Sequence, residues 1–171
     1  MVKVATDVTD QKLNSADFAG HIDAIGKSQT VIEFNMDGTI GTANANFLDA
    51  LGYSLGEITG KHHSPFVEAS ERDSAGYREF WNGLNRGRYQ AGEYKRIGKG
   101  GKEIWIQASY NPILDLNGRP FKVVKYPTDT TAQVVARIRS EKVRGMMEQV
   151  AAGAEERLRP RDFRCHAQIE G

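Results

Sequence analysis

Apolar and polar residues recur along this chain with two different periods, and these periods predict where helices and strands lie. Apolar residues at three- to four-residue spacing are typical of helices, which are predicted over residues 11–28, 45–51, 74–84 and 131–154. Strands are predicted over residues 31–36, 39–44, 89–97, 102–114 and 121–126. Asp37-Gly38 and Asn117-Gly118 suit tight turns between strands. The order is two strands, several short helices and a three-stranded meander, which indicates an α+β fold.

The longest predicted strand has one face suited to the floor of a pocket. Alternate side chains of a strand point to opposite sides, so Ile104, Ile106, Ala108 and Tyr110 share a face. Ala108 is small and leaves room beside the sheet. Two interpretations stay open at this point: a plain hydrophobic core, or a core with a gap that admits a ligand.

The first residues of the chain repeat a segment near its end. Residues 2–11 align without a gap with residues 124–133, and Val, Lys, Thr, Asp, Thr and Gln match in order. In the second copy a predicted strand leads through Thr-Asp-x-Thr into a helix. We therefore expect residues 1–10 to be the last strand of a preceding repeat of the same domain.

Composition and charge argue against several classes of protein. A formal net charge of +1 over 171 residues gives no electrostatic footprint for nucleic acid or for an anionic membrane surface. The apolar runs are far shorter than the ~20 residues of a membrane-spanning helix, and the first residues do not follow a signal-peptide pattern. The single cysteine, Cys165, excludes a disulfide or a cysteine-based zinc site within one chain. We expect a cytoplasmic location and no membrane span in this segment.

Several motifs, in order, resemble the PAS domain family. The residues that carry the resemblance are Asp37–Ile40, Ala43–Tyr53, Glu57–Lys61, Gly100–Trp105, Asn111–Ile113, Asn117-Gly118 and Thr128–Thr131. The matching region covers about residues 29 to 131. The resemblance implies a five-stranded antiparallel sheet with short helices on one face, enclosing a cavity for a ligand or cofactor and flanked by N- and C-terminal linker helices.

Within that family, two segments resemble the PAS modules of bacterial methyl-accepting chemotaxis and aerotaxis transducers. Residues 98–113 are similar to their long hairpin, and residues 137–156 are similar to the start of their signalling region. Such transducers act as dimers, so the resemblance implies a homodimer whose partners are the neighbouring PAS repeat and the downstream signalling region. The predicted organisation is a strand of a preceding repeat (1–10), a linker helix (11–28), the PAS domain (29–131), a signalling helix (132–156) and a disordered or extraneous tail (157–171).

The resemblance also implies a flavin site, with FAD the favoured cofactor and redox state or oxygen the stimulus. Flavin-binding aerotaxis transducers carry a Trp on the long helix before the sheet, matched by Trp81, and a basic residue followed by His, matched by Lys61 and His62. An indole can stack on an isoalloxazine ring, and Lys or His can bind a phosphate. This chain departs from the family pattern in having Lys for Arg and Ser64 for an acidic residue. The other expected pocket residues are His63, Ile106, Ala108 and Tyr110.

Haem b is an alternative cofactor, with His62 or His63 as the axial ligand. Adjacent histidines point in different directions, so at most one of the two can enter a cavity. A small ligand, or no cofactor at all in a dimerisation and relay module, are further alternatives. A flavin–cysteine photoadduct is excluded, because Cys165 lies far outside the predicted domain.

The sequence shows no catalytic constellation, and we expect no enzyme activity. Gly98-Lys99-Gly100-Gly101 joins two predicted strands and does not open a helix, so it indicates a turn and not a phosphate loop. The expected output is mechanical, with Asp129 capping the first turn of the C-terminal helix and Thr131 beside it as a second signalling residue. An apolar stripe on that helix, from Val135 to Ala154, favours a dimer contact over packing on its own domain.

Overall fold

The computed structural model describes residues 9–158, without the side chains of Gln11 and of residues 153–158. The helices are α1 (Thr9–Ser28), α2 (Ala45–Leu51), α3 (Leu55–Ile58), α4 (Ala69–Arg72), α5 (Ala75–Asn85) and α6 (Thr131–Leu158). The strands are β1 (Ile32–Asn35), β2 (Ile40–Ala43), β3 (Gln90–Ile97), β4 (Glu103–Leu114) and β5 (Pro120–Asp129). Single 3₁₀ turns lie at Ser64–Phe66 and Lys99–Gly101.

The strands form one five-stranded antiparallel sheet in the order β2-β1-β5-β4-β3. Strands β3, β4 and β5 are a meander, and the β1–β2 hairpin pairs on the far side of β5. Strand β5 is therefore central, and it carries Lys125 directly between Ile32 of β1 and Tyr110 of β4. The predicted α+β class and sheet are confirmed.

The predicted parity of the long strand is also confirmed. The side chains of Ile104, Ile106, Ala108 and Tyr110 are each at most 5% exposed, while Gln107 on the other face is exposed. Pairing puts residues of the flanking strands on the same inner face, where the core forms. The inner face is therefore the floor on which any interior site must lie.

The helices that cover this face have capped ends that fix their starts. Asn44 accepts a hydrogen bond from the Phe47 N–H at the start of α2, and Ser74 accepts one from the Tyr77 N–H at the start of α5. Such caps satisfy amide groups that have no partner inside the helix. The apolar face of α5 then places Tyr77 and Trp81 against the sheet.

Several boundaries differ from the sequence prediction, among them the end of strand β5, and one short helix is absent from that prediction. Strand β5 continues beyond residue 126 to Asp129, because the ladder with β4 persists through the pairs Gln107↔Thr128 and Ile106↔Asp129. Helix α4 (Ala69–Arg72) is absent from the sequence prediction, because its four residues are too few to produce a hydrophobic period.

The repeated segment is only partly within the described residues. Residues 1–8, most of the strand predicted for a preceding repeat, and residues 159–171, most of the predicted tail, lie outside them. Thr9 and Thr131, which align in the repeat, are each the first residue of a helix. The two copies therefore begin helices at the equivalent position.

The chain divides into two units after Thr131. Within the described residues, the second unit is the remainder of α6, which exposes Val143, Met146, Met147 and Val150 by 51–73% each. An exposed apolar stripe of this kind is a feature of helices that bind a partner.

Candidate functional site

A small, partly enclosed chamber lies on the inner face of the sheet. Its volume is about 30 Å³, and its lining includes Phe47 from α2, Ile104 and Ile106 from β4, Arg96 from β3 and Lys125 from β5. We refer to it as the chamber. One side of it is apolar and the other is cationic, a combination that plain core packing does not require.

Lys125 is 2% exposed, because its strand directs it to the inner face together with Val123. Its Nζ lies 4.8 Å from the centroid of the Tyr110 ring, a cation–π contact with the residue opposite it in β4. In the part of the chain that the structure describes, its ammonium makes no hydrogen bond or ion pair. Burial, and next the charge of Arg96, hold the pKa of Lys125 well below its usual value.

Arg96 is 3% exposed and only partly satisfied. Its Nη1 donates to the Lys95 carbonyl over 2.7 Å and lies 3.6 Å from a carboxylate oxygen of Glu71, which is itself 44% exposed. Its Nη2 donates a long, 3.5 Å hydrogen bond to the Tyr110 hydroxyl, and its guanidinium lies 4.7 Å from the centre of the Tyr94 ring. The buried Nε has no partner among residues 9–158. The interior thus holds two cationic side chains and no buried anion among the described residues.

His63 is fully buried and joins two tyrosines. Its Nδ1 lies 2.9 Å from the Tyr77 hydroxyl and its Nε2 lies 3.3 Å from the Tyr110 hydroxyl. Burial, and next the charges of Lys125 and Arg96, hold the pKa of His63 well below its usual 6.5, so the ring is neutral.

One assignment of hydrogen-bond directions gives every proton of the cluster a partner. An arginine can only donate, so the Tyr110 hydroxyl accepts from Arg96, and in this assignment it donates its own proton to Nε2 of His63. The proton of the neutral imidazole is then assigned to Nδ1, which donates it to Tyr77. Burial raises the pKa of Tyr110 to about 12, which keeps its hydroxyl protonated for this role.

One residue of the chamber lining also contacts the start of helix α6. Asp129 lines the chamber and pairs with Ile106 in the sheet. Its Oδ1 accepts a 2.8 Å hydrogen bond from the N–H of Thr131, the first residue of α6. The Thr131 hydroxyl in turn accepts a 3.0 Å hydrogen bond from the Trp105 N–H of β4. The contact expected between Asp129 and the beginning of the C-terminal helix is therefore present.

A second, open cavity lies on the surface and contains the other histidine. This aromatic groove has a volume of about 470 Å³, and its lining includes Asp37, His62, Tyr77, Trp81 and Asn85. His62 is half-buried, and its Nδ1 accepts a hydrogen bond from the Ser64 N–H. The expectation that the two histidines point in different directions is thus met, with His63 in the core and His62 in the groove.

The geometry at Trp81 bears on whether a flavin fits. The indole is 9% exposed, its edges are covered by Phe34, His63 and Phe80, and the ring of His62 lies 6.1 Å from it at a tilt of 47°. Its Nε1 is buried without a partner in the described structure. A flavin stacked on Trp81 needs His62 to move away, and the chamber is far below the roughly 300 Å³ at which pockets for drug-sized ligands begin. The residues as arranged here do not fit a stacked flavin.

A haem does not fit this arrangement of the two histidines either. Both ring nitrogens of His63 are hydrogen-bonded, and the chamber beside it is about 30 Å³. The Nε2 of His62 faces Gly38 so closely that a Cβ built there would lie 2.5 Å from it. Neither imidazole presents a free nitrogen to a space of haem size.

The structure brings some predicted site residues together and separates others. Ile106 and Tyr110 face the interior, Ala108 packs beside them, and His62 contacts Trp81. Lys61 is exposed and does not line the groove. Sequence reasoning missed Arg96 and Lys125. The alternation of β5 carried a signal, because Lys125 shares its face with Val123, but a lysine in a strand suggests a solvent-facing position.

Comparison with known families agrees with this fold. A family model described as "PAS fold" matches residues 40–126. That match covers just over half of the chain, and the chain belongs to the PAS family. The predicted membership is confirmed.

One curated relative and several solved structures resemble the chain. Over 131 residues the chain is 37% identical to the biofilm dispersion protein BdlA of Pseudomonas aeruginosa. This alignment covers 77% of the chain and 31% of BdlA. The chain therefore spans about a third of that relative's length.

The structural similarities support the fold alone. "Structure of an RNA-binding Light-Oxygen-Voltage Receptor" matches with a TM-score of 0.64, 18% identity, and coverage of 77% of this chain and 38% of the other. "Flavin Analogue Sheds Light on Light-Oxygen-Voltage Domain Mechanism" matches with a TM-score of 0.58, 19% identity, and coverage of 73% and 96%. The lone cysteine of this chain is Cys165, so no chamber residue is a cysteine.

The described part of the chain holds neither a cluster of metal-binding side chains nor a helix suited to span a membrane. No set of three or more His, Cys, Asp or Glu side chains within residues 9–158 is placed to hold a metal ion. Among the helices described, none combines the length and hydrophobicity of a membrane span.

Proposed function

We propose that this PAS domain is a cytoplasmic sensory and relay module of a chemotaxis transducer. The observation that carries the proposal is the continuity from the chamber to Asp129 and from Asp129 to the first amide of α6. The resemblance of residues 98–113 and 137–156 to transducer sequences supports the assignment.

The proposed relay uses hydrogen bonds between the sheet and the start of the helix. A change of occupancy in the chamber alters the pairing of β4 with β5, where Ile106 opposes Asp129. Asp129 and Thr131 then transfer that change to the helix. Asp129 accepts a hydrogen bond from the first N–H of α6, and the Thr131 hydroxyl accepts one from the Trp105 N–H of β4. A shift at this point repositions the first turn of α6, a helix of 28 residues. The module binds and transmits, and no chemistry is assigned to it.

A homodimer is part of the proposal. Helix α1 exposes Leu13, Phe18 and Ile22 by 63–71%, and α6 exposes its own apolar stripe. Exposed apolar rows on two long helices suit parallel helix contacts between copies. Substituting Met146 with Asp is expected to lower the dimer fraction measured by sedimentation, whereas Lys142→Asp, on the same exposed helix, leaves the dimer in place.

The relay is tested in the full-length transducer by measuring control of its partner kinase. Asp129→Ala is expected to uncouple the kinase from stimulus while His63 and the chamber keep their NMR signals. Asp115→Ala is the matched control, because Asp115 is an exposed aspartate that accepts two turn N–H bonds, from Asn117 and Arg119, on the other end of β5. Loss of the chamber signals together with output, or normal output, overturns the role of Asp129.

A flavin-bound sensor is the second candidate function, and it requires His62 to move away from Trp81. The aromatic groove that these two rings line has a volume of about 470 Å³, within the size range of ligand pockets. An absorption spectrum of the purified protein separates the candidates. Bands of oxidised flavin support the second candidate, whereas a featureless visible region supports a module that responds to a colourless ligand or acts as a relay alone.

A further inference from the structure

The chamber combines a cationic side with an apolar side. Arg96 and Lys125 supply the first, and Phe47, Ile104 and Ile106 supply the second. Both cationic side chains are at least 97% buried, and the Arg96 Nε is without a partner in the described structure. Natural proteins pair buried charges or hydrogen-bond them fully, because an isolated charge in a dry interior is strongly unfavourable.

We propose that the chamber is a binding site for a short-chain monocarboxylate of about the size of acetate. A carboxylate bound here accepts hydrogen bonds from the Arg96 Nε–H and from the Lys125 Nζ, two donors of the chamber lining that have no hydrogen-bond partner among residues 9–158. Planar carboxylates match arginine donors in geometry as well as charge. The methyl group of acetate then lies against the isoleucines and Phe47.

The volume of the chamber and the charges of its lining limit the kind of ligand that it can bind. The chamber volume of about 30 Å³ exceeds the 10–15 Å³ that one water requires, so it admits a ligand of a few heavy atoms without a large rearrangement. Asp129, which also lines the chamber, carries a carboxylate that repels a second negative charge. A monoanion is therefore favoured over a dicarboxylate.

This inference names the ligand class of the sensory module and in that respect rests on the function proposed above. The bound carboxylate offsets the positive charges of Arg96 and Lys125, the two residues whose charges lower the pKa of His63. Binding is thereby connected to the hydrogen-bonded cluster of His63 and Tyr110. Ligand binding is measured on the chain alone, whereas the relay is measured through the output of the transducer. Failure of the binding test is therefore distinguishable from failure of the relay test.

The first experiment is a thermal-shift and calorimetric titration of the chain with sodium acetate at constant ionic strength. A saturable rise in Tm is expected with acetate and formate. Acetamide, which has the shape without the charge, and sodium chloride are expected to give no rise. An equal rise with acetamide or with chloride overturns the carboxylate site, as does the absence of any rise with acetate.

Variants locate the site. Lys125→Met is expected to weaken acetate binding by about 10- to 100-fold, the effect of losing one hydrogen bond to a charged group. Replacing an unpaired buried charge with an apolar side chain leaves folding intact. Lys122→Met is the matched control on the same strand, since Lys122 is 34% exposed and pairs with Glu33. Unchanged binding in Lys125→Met, or equal loss in Lys122→Met, contradicts the proposal.

A measurement on the unaltered chain keeps the proposal testable if a variant does not fold. The ¹⁵N resonance of the Arg96 Nε–H is followed as acetate is added. A saturable shift of this resonance, with no shift in that of the exposed Arg88, is expected. An Arg96 resonance that does not move at saturating acetate overturns the assignment.

Discussion

His62 and His63 are neighbours in the sequence, yet they occupy opposite kinds of environment. His62 is half-buried in an open groove of about 470 Å³, and its described hydrogen bond is a local one to the Ser64 N–H. His63 is fully buried, and both its ring nitrogens bond tyrosines from other elements. The same residue type therefore has a local role in the first position and links α5 to β4 in the second.

The difference shows what burial does to polar chemistry. In the groove, water screens charges and completes hydrogen bonds, so polar residues there stabilise little and cost little. In the buried interior, each polar group depends mainly on the protein for its partners. The unpaired Nε of Arg96 is the donor that a ligand in the chamber would satisfy.

The largest expected effect comes from exchanging each histidine for leucine, which has a similar volume. His63→Leu leaves the Tyr77 hydroxyl without its imidazole partner and weakens the bonding of Tyr110, so a loss of about 2–4 kcal/mol of unfolding free energy is expected. His62→Leu is expected to cost less than about 1 kcal/mol, since one local hydrogen bond is lost. Urea unfolding measures both. Equal losses contradict the contrast between the two environments.

A glycine exchange tests the groove itself. Gly38 has φ +84° and a Cβ there would press on His62 and lie 3.2 Å from Trp81. Gly118, with φ +75° and nothing within 4 Å, is the matched control for backbone strain alone. Each Ala variant is expected to lose about 1–2 kcal/mol through strain, and Gly38→Ala about 1 kcal/mol more because His62 must move.

One outcome of the glycine exchange contradicts the contact between His62 and Gly38. The two variants are compared by denaturant unfolding, and their ¹H–¹⁵N spectra are compared at Trp81. If Gly38→Ala and Gly118→Ala lose the same free energy and the Trp81 indole signal stays in place, His62 is not held against Gly38. The groove is then more open than its geometry indicates.

A smaller effect is expected from pH. Folded His63 stays neutral because its pKa is well below 6.5, whereas in the unfolded chain it takes up a proton as pH falls below 6.5. The unfolded state then binds more protons, so stability falls with decreasing pH by up to about 1.4 kcal/mol per pH unit. The decline ends below the folded-state pKa. Unfolding measured between about pH 7 and pH 5.5 is expected to be flatter in His63→Leu, and an equal slope in both proteins contradicts this origin.

Much of the fold was predictable because its signals are local. The alternation of residues along β4 predicted that Ile104 and Tyr110 face inward, and the turn signal at Asp37-Gly38 predicted the first hairpin. The position of Asp129 before a helix gave its contact with Thr131. Each of these depends on residues a few positions apart, where sequence spacing determines geometry.

The composition of the chamber was not predictable in the same way. Arg96 and Lys125 lie 29 positions apart and are brought to one cavity by the pairing of three strands. A charged residue in a strand is ordinarily solvent-facing, so its burial follows only from tertiary packing. The covering of Trp81 by His62 likewise depends on the backbone at Gly38, which sequence spacing does not specify.

The account depends on a closed interior in which His63 is neutral and bonded at both nitrogens. The most direct measurement is the ¹⁵N chemical shifts of the His63 imidazole from about pH 8 to about pH 5.5. We predict a neutral ring throughout, with the proton on Nδ1. A ring that takes up a second proton near its ordinary pKa of 6.5, or one that carries its proton on Nε2, contradicts the account.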